Sequence, residues 1–112
     1  MAANHAVVVD HAVSGTLTIR EVASPTPLPS EALVRVAAIS LNRGETRRAM
    51  EAADGWRPGW DLAGVVVQAA ANGSGPRVGA RVVGFLRSGA WAESVAVPTN
   101  ALAELPDAVT FA

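Results

Sequence analysis

A carboxylate, Asp61, stands in the segment "RPGWDLAGVVV", residues 57–67, where a turn gives way to a run of small and branched apolar residues. A carboxylate at the mouth of a buried strand can serve as a metal ligand, as a catalytic acid, or as a polar cap on the strand end. A metal would need further ligands, and the chain contains no cysteine and only two histidines, His5 and His11. Both histidines lie in an N-terminal stretch with strand character, so the ligand inventory predicts no metal site.

Charged side chains also recur at helical spacing after residue 42. Glu45 and Arg48 are three residues apart, and Arg47 and Glu51 are four apart, which are the spacings that place charges side by side on a helix. The pattern predicts one short helix over residues 43–53. Its basic residues have two interpretations, either a solvated face alone or a small basic patch for a phosphate. These residues are Arg43, Arg47 and Arg48.

The elements that would position these side chains are mostly short strands, because apolar and polar residues alternate along most of the chain. The run at 32–40 is the strongest of them and is predicted to be buried on both faces. The proline-rich segment 24–31 is predicted to be a surface connector. Short strands with many glycines and one short helix indicate a small β-barrel. The strands are predicted at 6–10, 16–22, 32–40, 61–71, 81–86 and 91–98, with one more in the C-terminal tail.

Composition narrows the function classes. The 112 residues are 50% hydrophobic and 17% charged, which is typical of one globular domain. The nine basic residues, all arginine, are spread among ten acidic ones, so a nucleic-acid partner is not expected. The glycines of segment 73–79 precede another strand instead of the helix that a dinucleotide fingerprint requires. With no secretory signal and no apolar run near the roughly 20 residues that cross a bilayer, the chain is expected to be cytoplasmic, without a membrane partner.

Four stretches occur in an order and spacing that resemble the N-terminal GroES-like catalytic domain of the medium-chain dehydrogenase/reductase superfamily. They are "EALVRVAAISLNRGE", "RPGWDLAGVVV", "VGARVVGFLRSGAWAESVAVP" and "LAELPDAVTFA". The resemblance covers nearly all of residues 1–112 and implies a mainly β fold, a GroES-like partly open β-barrel with one or two short helices. It also implies a missing partner, since the family's cofactor-binding Rossmann domain would follow this segment in a longer oxidoreductase. The isolated domain is therefore expected to be inactive.

The details resemble the zinc-free branch of that superfamily. The zinc-dependent alcohol dehydrogenases carry a Cys where this chain has Asn42, and Gly-His-Glu where it has Gly59-Trp60-Asp61. The quinone oxidoreductases and the related enoyl or alkenal reductases share a Leu-Asn-Arg-Gly-Asp type of motif, seen here as "LNRGE" with Glu45 at the position of the Asp. By this resemblance, Asp61 is a polar residue that ends the turn and anchors the strand, by accepting hydrogen bonds from backbone or arginine donors.

The resemblance implies an NADPH-dependent, zinc-independent enzyme that reduces a quinone or a conjugated enone or enoyl acceptor by hydride transfer. It assigns Asn42 and Glu45 to the catalytic site, and Asn42 and Arg43 to the cofactor. The alternative for Asn42 is that it only closes the strand-to-helix turn. The alternative function is a free-standing GroES-like binding or oligomerisation module without catalysis. Self-association into a homodimer is a further expectation, through a face to which three tryptophans would contribute unless they are ordinary packing residues. They are Trp56, Trp60 and Trp91.

Overall fold

The computed structural model describes residues 3–112. This part of the chain contains seven strands, one α-helix and one 3-10 turn. The elements are β1 (Asn4–Val9), β2 (Leu17–Val22), β3 (Glu31–Ile39), α1 (Arg43–Glu51), β4 (Asp61–Gln68), β5 (Arg81–Phe85), β6 (Ser94–Pro98), the 3-10 turn Thr99–Ala101 and β7 (Leu102–Glu104). Each predicted strand is confirmed, although the strand expected at 61–71 ends at Gln68 and the one expected at 91–98 begins at Ser94. The predicted helix ends two residues early, at Glu51.

Five strands form one antiparallel sheet in the order β6-β3-β4-β5-β7. The central position of β4 agrees with its apolar sequence, because a strand with neighbours on both sides exposes no backbone donors. Gly64 lies where the backbones of β4 and β3 approach closely, and a Cβ atom there would lie 2.1 Å from the carbonyl oxygen of Arg35. The register of β3 against β4 shifts between Val36 and Ala38, beside this close approach. The sheet therefore curls.

One face of the curled sheet carries the core. Its largest buried side chains include Val34, Leu62, Val82 and Val97, each at most 1% exposed. The prediction that β3 is buried on both faces is wrong, because its residues alternate between buried positions such as Val34 and exposed ones such as Arg35. The sheet is covered on one side only, and a half-covered antiparallel strand has one solvated face.

The hairpin of β1 and β2 closes part of the barrel. The two strands pair antiparallel, and β1 also contacts the segment before β6, where Val7 N donates to Trp91 O at 2.9 Å and Ala6 bridges Ala92. At the same junction the His5 ring lies 2.7 Å from Glu93 Oε1, and His5 N donates to the same oxygen at 2.8 Å. The side-chain hydrogen bond from His5 lowers the pKa of Glu93. The mainly β, partly open barrel that the sequence predicts is confirmed.

The C-terminal segment packs back against the sheet. The Arg81 guanidinium donates to the carbonyl oxygens of Pro106 and Val109 and lies 4.7 Å from the centre of the Phe111 ring. Phe111 thereby reaches a shallow depression beside Ile39, near the C-terminal end of β3. Among residues 3–112, no helix has the length and apolarity needed to span a membrane.

Candidate functional site

The junction between β3 and α1 brings the predicted site residues together. Asn42 is the N-cap of α1, with extended backbone angles, and Arg43 is the first helical residue. Glu45 is the third helical residue, which is the position from which an acidic side chain can reach back to the N-cap. Glu45 Oε1 accepts a hydrogen bond from Asn42 N at 2.7 Å and another from Asn42 Nδ2 at 3.1 Å. The start of the helix and the Asn42 side chain are fixed by one carboxylate.

The same carboxylate also holds the turn before β4. Its second oxygen, Oε2, accepts from the backbone N of Trp60 at 2.6 Å. The Glu45 side chain is fully buried, so these three N–H groups take the place of water around its two oxygens. Glu45 thus ties the beginning of α1 to the segment that carries Trp60, fifteen residues further along the chain.

The indole of Trp60 completes this connection. It packs over Gly44, the second residue of α1, so closely that a Cβ atom at Gly44 would lie 2.6 Å from Trp60 Cη2. Gly44 is required by this close approach and not by its backbone conformation, since its φ angle lies outside the left-handed region. Trp60 remains partly exposed, while Trp91 is buried in the core at 5% exposure. The sequence left open whether the tryptophans form an exposed face or are packing residues. Trp91 is a packing residue, whereas Trp56 and Trp60 keep part of their surface in solvent.

Ser40 links the junction to Asp61. The Ser40 hydroxyl donates to Asp61 Oδ2 at 2.8 Å, and Ser40 O accepts from Trp91 Nε1 at 3.1 Å. Asn42 Nδ2 lies 3.5 Å from the same hydroxyl. Asp61 is the first residue of β4 and anchors the strand end, as predicted, but its partner is a hydroxyl instead of a backbone or arginine donor.

Ser40 was not predicted as a site residue from the sequence. The signal that could have found it is the antiparallel register of β3 and β4. Ile39 pairs with Leu62, so the next residue along β3 faces the residue before Leu62, which is Asp61. A serine and an aspartate at such a cross-strand position hydrogen-bond readily. The pairing could be found only after the register of β3 and β4 was known.

The junction exposes an amide, a hydroxyl and one guanidinium, from Asn42, Ser40 and Arg43. Asn42 and Ser40 are exposed, and their donors are engaged by Glu45 and Asp61, so the Asn42 side-chain carbonyl oxygen and the Ser40 hydroxyl oxygen can accept hydrogen bonds from the carboxamide N–H of a nicotinamide. Zinc prefers Cys, His and carboxylate ligands, and no group of three or more such side chains is placed to hold a metal within residues 3–112. Neither Asn42 nor Ser40 is a usual zinc ligand. Arg43, the other predicted cofactor residue, is exposed at the helix start.

A groove runs along α1 from this junction. It has a volume of about 590 Å³ and lies between the helix and the partly exposed side chains of Trp56 and Trp60. We call it the α1 groove. Arg47 and Arg48 line it, so the helix face that the sequence marks as basic is also a wall of a concave surface.

Comparison with known proteins shows which family has this architecture. The family model of the alcohol dehydrogenase GroES-like domain matches residues 28–107. A trans-enoyl reductase of Penicillium oxalicum is 37% identical over 101 residues, which cover 76% of this chain and 28% of the relative. The synaptic vesicle membrane protein VAT-1 homolog of Rattus norvegicus is 34% identical over 100 residues, covering 85% and 25% respectively. The chain thus spans about a quarter of the length of these relatives.

Solved structures agree with this assignment. The human synaptic vesicle membrane protein VAT-1 homolog-like protein superposes with a TM-score of 0.89 at 27% identity, over 98% of this chain and 38% of the other. A quinone oxidoreductase of Pseudomonas syringae gives 0.80 at 27% identity, over 98% and 35%. A mycobacterial protein solved in complex with NADPH gives 0.80 at 26% identity, over 98% and 36%.

The curled sheet, the single helix and the polar junction at its start define a GroES-like domain. The chain belongs to the alcohol dehydrogenase GroES-like domain family, and it is an N-terminal domain of the medium-chain dehydrogenase/reductase superfamily. The resemblance seen in the four sequence stretches is confirmed.

Proposed function

We propose that the polypeptide carrying this domain is an NADPH-dependent, zinc-independent oxidoreductase that reduces a quinone or a conjugated enone or enoyl acceptor. The domain forms the substrate side of the site. The observation that carries the proposal is the exposed Asn42 amide, held in one orientation by a buried carboxylate. The relatives named as an enoyl reductase and a quinone oxidoreductase support the choice of acceptor, and the neighbour solved with NADPH supports the cofactor.

Each residue of the junction has a proposed part. Asn42 hydrogen-bonds to the nicotinamide end of the cofactor or to the acceptor, and the positive charge of Arg43 faces the negatively charged cofactor. Glu45 belongs to the site as a positioning residue, because its carboxylate is buried and acts through Asn42. When bound, the cofactor supplies a hydride, and the acceptor takes up that hydride and one proton. Pre-positioned hydrogen-bonding groups accelerate such a transfer by orienting the reactants.

The zinc-independent part of the proposal rests on the residues at the two positions where the zinc branch carries ligands. Asn42 and Trp60 stand there, and neither side chain is a usual zinc ligand. The cofactor-binding domain of the same polypeptide, the homodimer and the cytoplasmic location remain predictions.

The test is NADPH oxidation by the natural polypeptide that contains residues 1–112, with 1,4-naphthoquinone as the acceptor. Asn42→Ala is expected to lower kcat/KM at least about tenfold, which is a loss of roughly 1.4 kcal/mol in transition-state stabilisation. Asn100→Ala is the matched control, since Asn100 is an exposed asparagine on the 3-10 turn outside the junction. An Asn42→Ala rate equal to that of the control would remove Asn42 from the site. Absence of any NADPH oxidation by the unchanged protein would favour the alternative, a non-catalytic binding module.

A further inference from the structure

The α1 groove combines aromatic surface with positive charge. Trp56 and Trp60 are both partly exposed on one side of it, and the Arg48 guanidinium lies 5.8 Å from the centre of the Trp56 ring. A cation at this distance over an indole face is attracted to the ring, which restrains the long arginine side chain. Arg48 is therefore held at the groove wall, and it is an exposed residue.

Positive charge exceeds negative charge among the residues that line the groove. Two arginines, Arg47 and Arg48, line it together with one carboxylate, Glu51. Arg47 and Glu51 are one helical turn apart, yet neither guanidinium forms an ion pair within residues 3–112, where the pairs present are His5–Glu93 and Arg20–Asp10. Two unpaired guanidinium groups beside aromatic surface suit an aromatic ring that carries an anionic group, because the guanidinium fork matches the oxygens of a carboxylate, sulfonate or phosphate.

The groove also lies next to the proposed reaction site. It is bounded by Gly44, two residues after Asn42, and by the Trp60 indole that packs on Gly44. Trp60 is fixed through its backbone N–H by the same carboxylate that fixes Asn42. A ligand in the groove and a group held at Asn42 would therefore both contact residues that Glu45 holds in place.

We propose that the α1 groove selects acceptors that carry an anionic group on an aromatic or quinonoid ring. The ring packs against the exposed parts of Trp56 and Trp60, and the anionic group pairs with Arg47 and with Arg48, which lies over Trp56. This inference rests on the proposed function, since it names the class of acceptor for the same site. It gives the basic helix face of the sequence a more specific ligand than a bare phosphate.

The binding test uses the 112-residue chain without cofactor. Isothermal titration with 1,4-naphthoquinone-2-sulfonate and with neutral 1,4-naphthoquinone is expected to show at least about tenfold tighter binding of the sulfonate. The double variant Arg47→Gln/Arg48→Gln is expected to lose this preference, and raised salt is expected to weaken it. Arg87→Gln is the matched control, since Arg87 is an exposed arginine that lies outside the groove. Circular dichroism checks that each variant folds.

Three results would overturn the proposal. Equal affinity for the neutral and the sulfonated quinone would show that charge plays no part. A preference that survives in the double variant would place the anion elsewhere. Sulfate alone binding as tightly as the sulfonated quinone would show a simple anion patch, without a contribution from the ring.

The two proposals fail separately. Because the titration needs neither NADPH nor turnover, a missing preference for the sulfonate rejects the groove assignment even when the natural polypeptide oxidises NADPH with the neutral quinone. Conversely, tight and arginine-dependent binding of the sulfonate without NADPH oxidation by any of these quinones rejects the oxidoreductase and leaves the anion-binding groove standing.

Discussion

Replacing Glu45 with glutamine isolates the role of the buried carboxylate at the helix start. The substitution keeps the shape of the side chain and removes one of its two acceptor oxygens. In the native domain, both oxygens are used: Oε1 accepts from Asn42 N at 2.7 Å and Asn42 Nδ2 at 3.1 Å, and Oε2 accepts from Trp60 N at 2.6 Å. The glutamine amide nitrogen must therefore face at least one of these N–H donors.

The magnitude follows from that mismatch. If the glutamine oxygen stays with Asn42, the Trp60 N–H is left without an acceptor in a place where Glu45 is 0% exposed. A hydrogen bond to a charged group contributes about 1.5–3 kcal/mol, and a buried unsatisfied donor costs about as much when its partner is removed. For a domain of this size, a loss of about 2 kcal/mol lowers Tm by roughly 8 °C.

Thermal and urea unfolding followed by circular dichroism measure this loss directly. Glu51→Gln is the control, because it makes the same chemical change at an exposed position of the same helix, and it is expected to change the free energy of unfolding by less than about 0.5 kcal/mol. If Glu45→Gln melts within about 1 °C of the control, the carboxylate does not hold the junction together, and the reasoning is refuted.

Three other perturbations test separate parts of the structure. Gly64→Ala is expected to lower the free energy of unfolding by about 1–3 kcal/mol in urea titrations, because the new methyl group would lie 2.1 Å from Arg35 O; a neutral effect would contradict this close approach of β4 to β3. Glu93 has a lowered pKa because of its hydrogen bond to His5, so its stabilisation is present above the usual pKa of a free glutamate and is lost as the pH falls through the lowered value. Urea midpoints of the wild type and Glu93→Gln should accordingly converge on acidification, and a constant difference between pH 6 and pH 3 would show that the contact does not titrate. Finally, the rate of NADPH oxidation by the natural polypeptide is expected to be the same with and without EDTA or 1,10-phenanthroline, whereas inhibition reversed by added zinc would contradict zinc independence.

The strands were predictable because their signal is local. Alternating side chains in most strands and apolar runs in others located all seven strands, and the charge spacings of Glu45 with Arg48 and of Arg47 with Glu51 located the helix. The error at β3 has a tertiary cause. Its apolar run suggested burial on both sides, but only one face of the sheet is covered, and Arg35 and Ile39 lie on the other. Composition cannot tell which layers exist above and below a sheet.

The residues of the candidate site could be predicted from the sequence, but the hydrogen bonds between them could not. The resemblance drew attention to Asn42, Arg43 and Glu45, and the structure places all three at the start of α1. The hydrogen bond from Trp60 N to Glu45 joins residues that are fifteen positions apart, and no sequence pattern predicts it. It exists because α1 packs against the turn before β4, with Gly44 allowing the indole of Trp60 to approach.

The sequence by itself determined the strands, the helix and the family, because side-chain periodicity and motif order are properties of neighbouring residues. It also limited the metal chemistry, because a chain without cysteine and with two histidines offers few zinc ligands. Only the tertiary structure decided that Glu45 is buried, where it accepts hydrogen bonds from two segments, and that Ser40 donates a hydrogen bond to Asp61. Such contacts depend on strand register and on the packing of the helix against a distant turn, and these are fixed only when the whole chain folds.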